Sequence, residues 1–488
     1  MSMIKVENLT FAYPSSYDNI FENVSFRIDT DWKLGFVGRN GRGKTTFLNL
    51  LLGKYEYEGK IISSAEFDYF PYTVKDKSRL TIDVLSEIRP TAEEWELMRE
   101  MSYLEVDADV LWRHFETLSK GEQTKVLLAA LFLNEGRFLL IDEPTNHLDA
   151  KAREMVSAYL KRKKSFILVS HDRRFLDGCV DHILSLNRTN IEVQNGNFSS
   201  WLTNFERQQA FESARNEKLK KDINRLQTAA GRSALWSERA EKSKMGNGPC
   251  DRGYIGHKAA KMMKKSRAAE ARYNRAAEEK SKLMKNAETT ERLKISPIEH
   301  YADILADFNN VSVCYEGKAI CAPVSFTIGQ GERIALDGRN GSGKSSLLKL
   351  LIGEKIDYIG RISTAPGLMI SYVPQDTSYL KGNLSDFAQE NHIDESLFKA
   401  ILRKMDFERV QFEKNMGDFS EGQKKKVLIA KSLCEQAHLY VWDEPLNFID
   451  IYSRMQIEQL IKDFSPTIIF VEHDGAFRDK IATKTVRL

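Results

Sequence analysis

Gly38-Arg39-Asn40-Gly41-Arg42-Gly43-Lys44-Thr45 and, 300 residues later, Gly338-Arg339-Asn340-Gly341-Ser342-Gly343-Lys344-Ser345 decide the fold of this 488-residue chain. Both stretches fit G-x-x-x-x-G-K-[ST]. Glycines let backbone N–H groups curl around phosphates, the lysine reaches the terminal phosphates, and the hydroxyl suits Mg²⁺. Each loop follows an apolar strand (Lys33–Val37 in the first copy) and opens a helix (Lys44–Leu52). The positive end of that helix then faces the anion. Thr46 and Ser346 follow the hydroxyl residues at the same helix ends. Two nucleotide sites in one polypeptide are expected.

Working outward, each loop is trailed by the same motifs in the same order. Leu118-Ser119-Lys120-Gly121-Glu122-Gln123 is matched by Phe419-Ser420-Glu421-Gly422-Gln423-Lys424. Ser alone would read as an ordinary helix cap. The spacing argues for more: Lys44 to Ser119 is 75 residues and Lys344 to Ser420 is 76. Asp142-Glu143 and Asp443-Glu444 each end an apolar strand, 23 residues after the serine in both halves. An Asp there suits Mg²⁺ and a Glu suits the attacking water; standing alone, the pair would be a solvated strand end. His171 and His473 follow the next strand, each time as His-Asp.

Together these motifs resemble the ABC-type ATPases. The expected fold class is α/β, with two ABC-type P-loop ATPase domains at 1–198 and 301–488. The resemblance implies two ATP molecules and Mg²⁺, each ATP clamped between one domain's phosphate loop and the other's signature serine. It places Gly38, Asn40, Gly41, Gly43, Lys44 and Thr45 with Asp142, Glu143, His171, Ser420 and Gly422. It places Gly338, Asn340, Gly341, Gly343, Lys344 and Ser345 with Asp443, Glu444, His473, Ser119 and Gly121. Glu143, Glu444, His171 and His473 are the implied catalytic residues, and Thr45, Asp142, Ser345, Gln375 and Asp443 the implied metal ligands. Tyr13 and Tyr315 stand where the family stacks an aromatic on adenine, although either also reads as a strand's core residue. Gln375 is the glutamine usual between strand and signature. Tyr72 stands at that position in the first half, which leaves that site without the usual amide contact to Mg²⁺.

Between the two domains lies a segment of different character. From Glu206 to Lys294 there are 23 Lys/Arg and 12 Asp/Glu, a net +11 in a chain of net charge +3. Leu219, Ile223, Leu226 and Ala230 recur at helical spacing, as do Ala269, Tyr273, Ala276, Leu283 and Ala287. Residues 199–300 therefore read as a long antiparallel helical hairpin, its tip loop near 241–256 around Met245-Gly246-Asn247-Gly248-Pro249. About 35 residues per helix make an arm of roughly 50 Å. A passive charged spacer is the alternative. A spacer needs neither the ten Lys/Arg between Arg232 and Arg267 nor Trp236, Lys242, Lys244, Met245 and Tyr254 near the tip. Excess cation binds phosphate without regard to sequence, and aromatic tips stack on unpaired bases.

No apolar run approaches the ~18 residues that span a bilayer, and the N-terminal residues lack a signal peptide's pattern. The five cysteines are scattered, without metal-ligand spacing, as free thiols in a reducing cytoplasm would be. Paired ATPase domains, a basic helical linker and Glu143-Pro144-Thr145-Asn146-His147-Leu148-Asp149 resemble the ABC-F family of ribosome-acting ATPases. The short interval from Tyr72 to Leu118 leaves no room for the extra arm of its housekeeping members. Asp443-Glu444-Pro445-Leu446-Asn447-Phe448-Ile449-Asp450 and Val471-Glu472-His473 depart from the first copy. These features look like the antibiotic-resistance branch, most of all its Lsa-type group. By that resemblance the partners are the ribosome, its 23S rRNA and the P-site tRNA, engaged by a cytoplasmic monomer whose two domains pair within one chain. A housekeeping translation ATPase and the ATPase subunit of an exporter are the competing readings.

Overall fold

The computed structural model describes residues 3–14, 19–134, 136–146, 148–187, 191–242, 261, 264–265, 268–269, 271–276, 292–315 and 317–488. The chain divides into two compact units, Met1–Trp201 with Thr290–Leu488, and Leu202–Thr289.

The first unit contains two lobes of one design. In the first lobe, β1 (Met3–Phe11), β2 (Phe21–Asp29) and β4 (Glu58–Ile62) form an antiparallel sheet in the order β2-β1-β4. Strands β3 (Lys33–Gly38), β5 (Glu66–Phe70), β6 (Arg137–Asp142), β7 (Phe166–Val169), β8 (His182–Leu186) and β9 (Ile191–Asn195) form a second sheet, ordered β5-β6-β7-β3-β8-β9. Its pairs are parallel except β8 with β9. Parallel strands are buried on both faces and read as continuous apolar runs, as Phe138-Leu139-Leu140-Ile141 does. Helix α1 (Lys44–Leu51) packs Phe47, Leu48 and Leu51 between the two sheets with Phe21, Phe36 and Leu140. Each such side chain contributes about 1.5–3 kcal/mol by leaving water. Five further helices complete the lobe: α2 (Thr81–Ile88), α3 (Glu94–Tyr103), α4 (Lys120–Leu131), α5 (Ala150–Arg162) and α6 (Arg173–Cys179).

Helix α7 runs from Phe198 to Lys242, roughly 68 Å at 1.5 Å per residue. Phe198 and Trp201 at its start are buried. Farther along, in the second unit, Leu219, Ile223, Ala269, Tyr273 and Ala276 are half-buried among largely exposed neighbours. Trp236 and Lys242 lie on α7. Lys244, Met245 and Tyr254, with most of the expected tip loop, lie outside the described residues.

Leu293 and Ile295 return the chain to the core of the second lobe. There β10 (Ile304–Tyr315), β11 (Lys318–Ala319), β12 (Val324–Gly329) and β14 (Tyr358–Thr364) make the antiparallel sheet. Strands β13 (Arg333–Asp337), β15 (Ile370–Val373), β16 (Leu439–Asp443), β17 (Ile468–Val471) and β18 (Lys484–Arg487) make an all-parallel sheet ordered β15-β16-β17-β13-β18. Its helices are α8 (Lys344–Leu351), α9 (Leu384–Glu390), α10 (Glu395–Lys404), α11 (Glu421–Cys434), α12 (Ile451–Phe464) and α13 (Gly475–Ile481). In each lobe the loop-bearing strand lies beside the strand that ends at the histidine. That strand in turn adjoins the one ending in Asp-Glu. The topology thus brings the dispersed motifs to one sheet edge, at the carboxyl ends of the strands, where ligands of open α/β sheets bind. The antiparallel sheets add a layer not expected from the sequence.

Candidate functional site: two lobe–lobe seams

In the first lobe Gly43 takes φ 96°, a left-handed conformation that glycine adopts freely. That turn folds the loop back over α1. Lys44 Nζ is buried and donates to the carbonyls of Gly38 (2.7 Å) and Arg39 (3.2 Å) and to Oδ1 of Asn40 (3.3 Å). Burial lowers its pKa, while Asp450, Glu143 and Asp142 oppose the shift. Thr45 Oγ1 donates to Asp142 Oδ2 at 2.9 Å, and Tyr13 OH meets Thr46 Oγ1 at 2.9 Å. The second lobe repeats this. Lys344 Nζ reaches the Gly338 and Arg339 carbonyls, Ser345 Oγ donates to Asp443 Oδ1 at 3.1 Å, and Tyr315 OH meets Ser346 Oγ at 3.0 Å. Burial raises both aspartates, Asp443 to about 6.

The donors fit Mg²⁺ and a nucleotide triphosphate. A hydroxyl and a carboxylate converge at each strand end, as a hard cation requires when phosphates and water complete its shell. A buried ammonium and a helix N-terminus stand beside them for the phosphates.

Ser119 and Ser420 cap α4 and α11, each in a reciprocal capping box, with Glu122 and Gln423 respectively. The lobes bring each phosphate loop to the other lobe's serine motif. At the first seam Asn40 Nδ2 donates to the Phe448 carbonyl at 2.6 Å. Gly422 lies so close that a Cβ there would run into Asn40 Nδ2 and the Phe448 carbonyl. At the second seam a cavity of 1110 Å³ is lined by Ser119, Gly121, Asn340, Gly341, Gly343, Lys344, Ser345, Ser346, Gln375, Glu444 and His473. Every residue expected there joins one wall except Asp443, held through Ser345, with Gly338 at the loop's base and Tyr315 held through Ser346.

The seams differ in their ionic contacts. At the first, Arg42 pairs with Asp406 (3.1 Å), and a buried Arg173–Glu458 pair (2.9 Å) joins α6 to α12. The corresponding residues at the second seam are Ser342, Glu105, Gly475 and Ser157. Gly475 and Ser157 line a further cavity of 300 Å³.

The candidate catalytic groups differ as well. His171 Nε2 lies 3.3 Å from Glu143 Oε1 and His473 Nε2 lies 3.3 Å from Glu444 Oε1. Yet Glu143 Oε1 is buried without hydrogen-bond alignment to any described group. Burial and Asp142 push its carboxyl up to about 8, and burial with Lys44 and Arg454 drives His171 well below the usual histidine range. Burial also pushes Glu444 up, but hydrogen bonds from His473 and Gln375 and the charge of Lys425 outweigh it and hold the carboxyl low. Asn447 Nδ2 donates to its other oxygen.

Tyr72 turns away from the first site. Its hydroxyl donates to Asp68 Oδ2 (2.8 Å) beside Arg89, and Tyr69, three residues earlier, donates to Asp142 Oδ2 at 3.2 Å instead. The alternation of Glu66–Phe70 was the available signal, since it puts Tyr69 on the strand face opposite Phe70. Arg173, Glu458 and Lys425 carry no local signal in the sequence, since Arg173 meets Glu458 across 285 residues and Lys425 reaches the Pro374 carbonyl across 51.

The family model for ABC transporter matches residues 21–146 and 321–447. The chain is 27% identical to the ribosome protection protein VmlR of Bacillus subtilis, over 96% of this chain and 84% of that one. It is 26% identical to the energy-dependent translational throttle protein EttA of Haemophilus influenzae, over 95% and 88%. Among solved structures, archaeal ribosome recycling factor aABCE1, in its complex with ribosomal stalk protein aP1, superposes with a TM-score of 0.65 at 19% identity. That alignment covers 98% of this chain and 87% of the other. The duplicated loop, the crossed pairing of loop with serine motif and the match over both lobes lead to one conclusion: the chain belongs to the ABC transporter family and is an ATPase built from two of its nucleotide-binding domains.

Proposed function

We propose that this chain is an ABC-F ATPase that binds the ribosome with ATP and shields it from antibiotics acting at the peptidyl-transferase centre. The observation that carries the reading is the match to a ribosome protection protein along 96% of the chain, linker included. The net +11 of residues 206–294 supplies salt-sensitive affinity for RNA phosphates. Among the described residues no helix is long and apolar enough to cross a membrane.

In this reading Lys44 and Lys344 hold the terminal phosphates; Thr45 and Asp142 would hold Mg²⁺ at the first site, and Ser345, Asp443 and Gln375 would hold it at the second. Tyr13 and Tyr315 flank the adenine, and Ser119, Gly121, Ser420 and Gly422 close each ATP from the opposite lobe. When bound, Mg²⁺ neutralises charge on the phosphates that separate. Glu444 takes the proton of the attacking water, while His473 fixes the orientation of that carboxylate; Glu143 and His171 are their counterparts. Closing the lobes around two ATP molecules sets the pose of the linker, whose Trp236, Lys242, Lys244, Met245 and Tyr254 reach toward P-site tRNA and 23S rRNA in the cytoplasm. Hydrolysis releases the factor, a monomer. The Lsa-type range of lincosamides, streptogramin A and pleuromutilins is the proposed drug spectrum.

The similarity to a translational throttle supports a second reading, a factor that tunes translation without any drug. Replacing residues 241–256 by a short Gly/Ser loop separates the two in a drug-sensitive host. Protection predicts that full-length protein raises the inhibitory concentration at least about 4-fold, and that the loop variant loses this while keeping ATPase activity. Unchanged susceptibility with full-length protein overturns the protective reading and leaves the throttle.

A further inference from the structure

Glu472 stands where the first lobe has Ser170, and Leu446 where it has Thr145. The structure shows why these two departures belong together. In the first lobe the Thr145 and Ser170 hydroxyls meet at 3.2 Å, and Ser170 Oγ accepts the Asp172 N–H. Two short hydroxyl side chains thus join the turn after Asp142-Glu143 to the turn bearing His171. Leucine has no hydroxyl, so the second lobe cannot make this link through side chains. There the buried Glu472 carboxylate reaches the main chain. Oε2 accepts the Leu446 N–H at 3.1 Å, and Oε1 accepts the N–H groups of His473 (2.9 Å) and Asp474 (3.3 Å). The buried Arg454 completes the junction from the carbonyl side, donating to Leu446 O (2.8 Å), Ile449 O (2.9 Å) and Asp474 Oδ2 (3.0 Å).

Both segments gripped by Glu472 end on Glu444. The His473 ring lies 3.3 Å from its Oε1, and the Asn447 amide donates to its Oε2. The next carbonyl, that of Phe448, accepts Asn40 Nδ2 from the first lobe's phosphate loop at 2.6 Å. We infer that Glu472 is a positioning residue for ATP hydrolysis at the second site: by pinning the backbone on either side of Glu444 it aims that carboxylate, replacing the Thr145–Ser170 link of the first lobe. Three N–H donors on two oxygens require a carboxylate. An amide would turn an NH₂ group against a backbone N–H, leaving buried donors without an acceptor. Hydrogen-bond partners that orient a metal ligand are worth about 10–100-fold in activity, and Glu472 orients Glu444 in the same manner.

The test isolates each site by blocking the other, with Glu143→Gln to read the second and Glu444→Gln to read the first. Glu472→Gln is expected to lower kcat at the second site about 10–100-fold with KM for ATP changed less than about 3-fold. The first site should change less than about 3-fold. Leu446→Thr combined with Glu472→Ser, which installs the first lobe's pair, should restore the second site to within about 3-fold of its parent, whereas Glu472→Ser alone should not. Equal losses at both sites, an effect on KM alone, unchanged kcat in Glu472→Gln, or failure of the double substitution to restore turnover would each overturn the assignment.

Discussion

The two seams are built from one repeated design and diverge at a few side chains. The first carries the lobe–lobe ion pairs of Arg42 with Asp406 and Arg173 with Glu458. The second carries Ser342, Gly475 and Ser157 at the matching places and borders open cavities of 1110 and 300 Å³. The acids diverge in parallel. Glu444 is held at both oxygens beside the larger cavity, whereas Glu143 Oε1 is buried 3.3 Å from His171 Nε2 without a hydrogen bond to any described group. Duplication therefore produced two seams of one design with different contacts, and the difference rests on Arg42 within the phosphate loop and on Arg173 and Glu458 outside it.

The largest expected effect tests that difference in turnover. Glu444→Gln should lower steady-state kcat by about 100-fold or more, the scale of losing a well-placed general base. Glu143→Gln should lower it less than about 10-fold. Phosphate release measured for both variants decides it, and equal losses would break the comparison.

A second test sets a buried ion pair of one lobe against the residues at the same positions in the other. Lys426 and Asp450, both buried, pair at 2.8 Å, while their counterparts Lys125 and Asp149 line the open cavity. Lys426→Met should cost about 3–5 kcal/mol, because it strands a buried carboxylate. Lys125→Met should cost under about 1 kcal/mol. Denaturant titration reads both. Burial pushes the Asp450 carboxyl up, but Lys426 and the Ser453 N–H outweigh it and hold it far below the ordinary range. A depressed folded pKa contributes stability above the unfolded value and loses it as pH falls through the folded one. The gap between wild type and Lys426→Met should therefore narrow as pH falls below about 3.9.

The third and smallest effect is on nucleotide release. Installing the first seam's pair at the second, with Ser157→Glu and Gly475→Arg, should slow release of a fluorescent ATP analogue from the Lys344 site by about 10-fold, the equivalent of one 1.4 kcal/mol contact. Unaltered release would show that the missing pair does not set how the second seam opens.

Much of this architecture was legible in the chain. Phosphate loops, serine motifs and strand-ending acids are local patterns whose chemistry dictates residue type and spacing, so Lys44, Asp142, Ser420 and their counterparts could be placed before any geometry. The antiparallel sheets were less so, because β1 pairs with both β2 and β4 through registers interrupted by bulges. The seams were hidden for a different reason. Arg173 and Glu458 are 285 residues apart, and neither lies in a nucleotide motif. Tyr72 misled by position: it aligns with Gln375, but the strand's alternation gives the Asp142 contact to Tyr69.

Co-sedimentation with 70S ribosomes tests the account most directly, using the Glu143→Gln, Glu444→Gln double variant that retains ATP. The account predicts that the protein pellets with ribosomes in ATP, stays in the supernatant in ADP, and leaves the pellet as salt rises. Absence from the ribosomal pellet in ATP, with nucleotide binding intact, would contradict it.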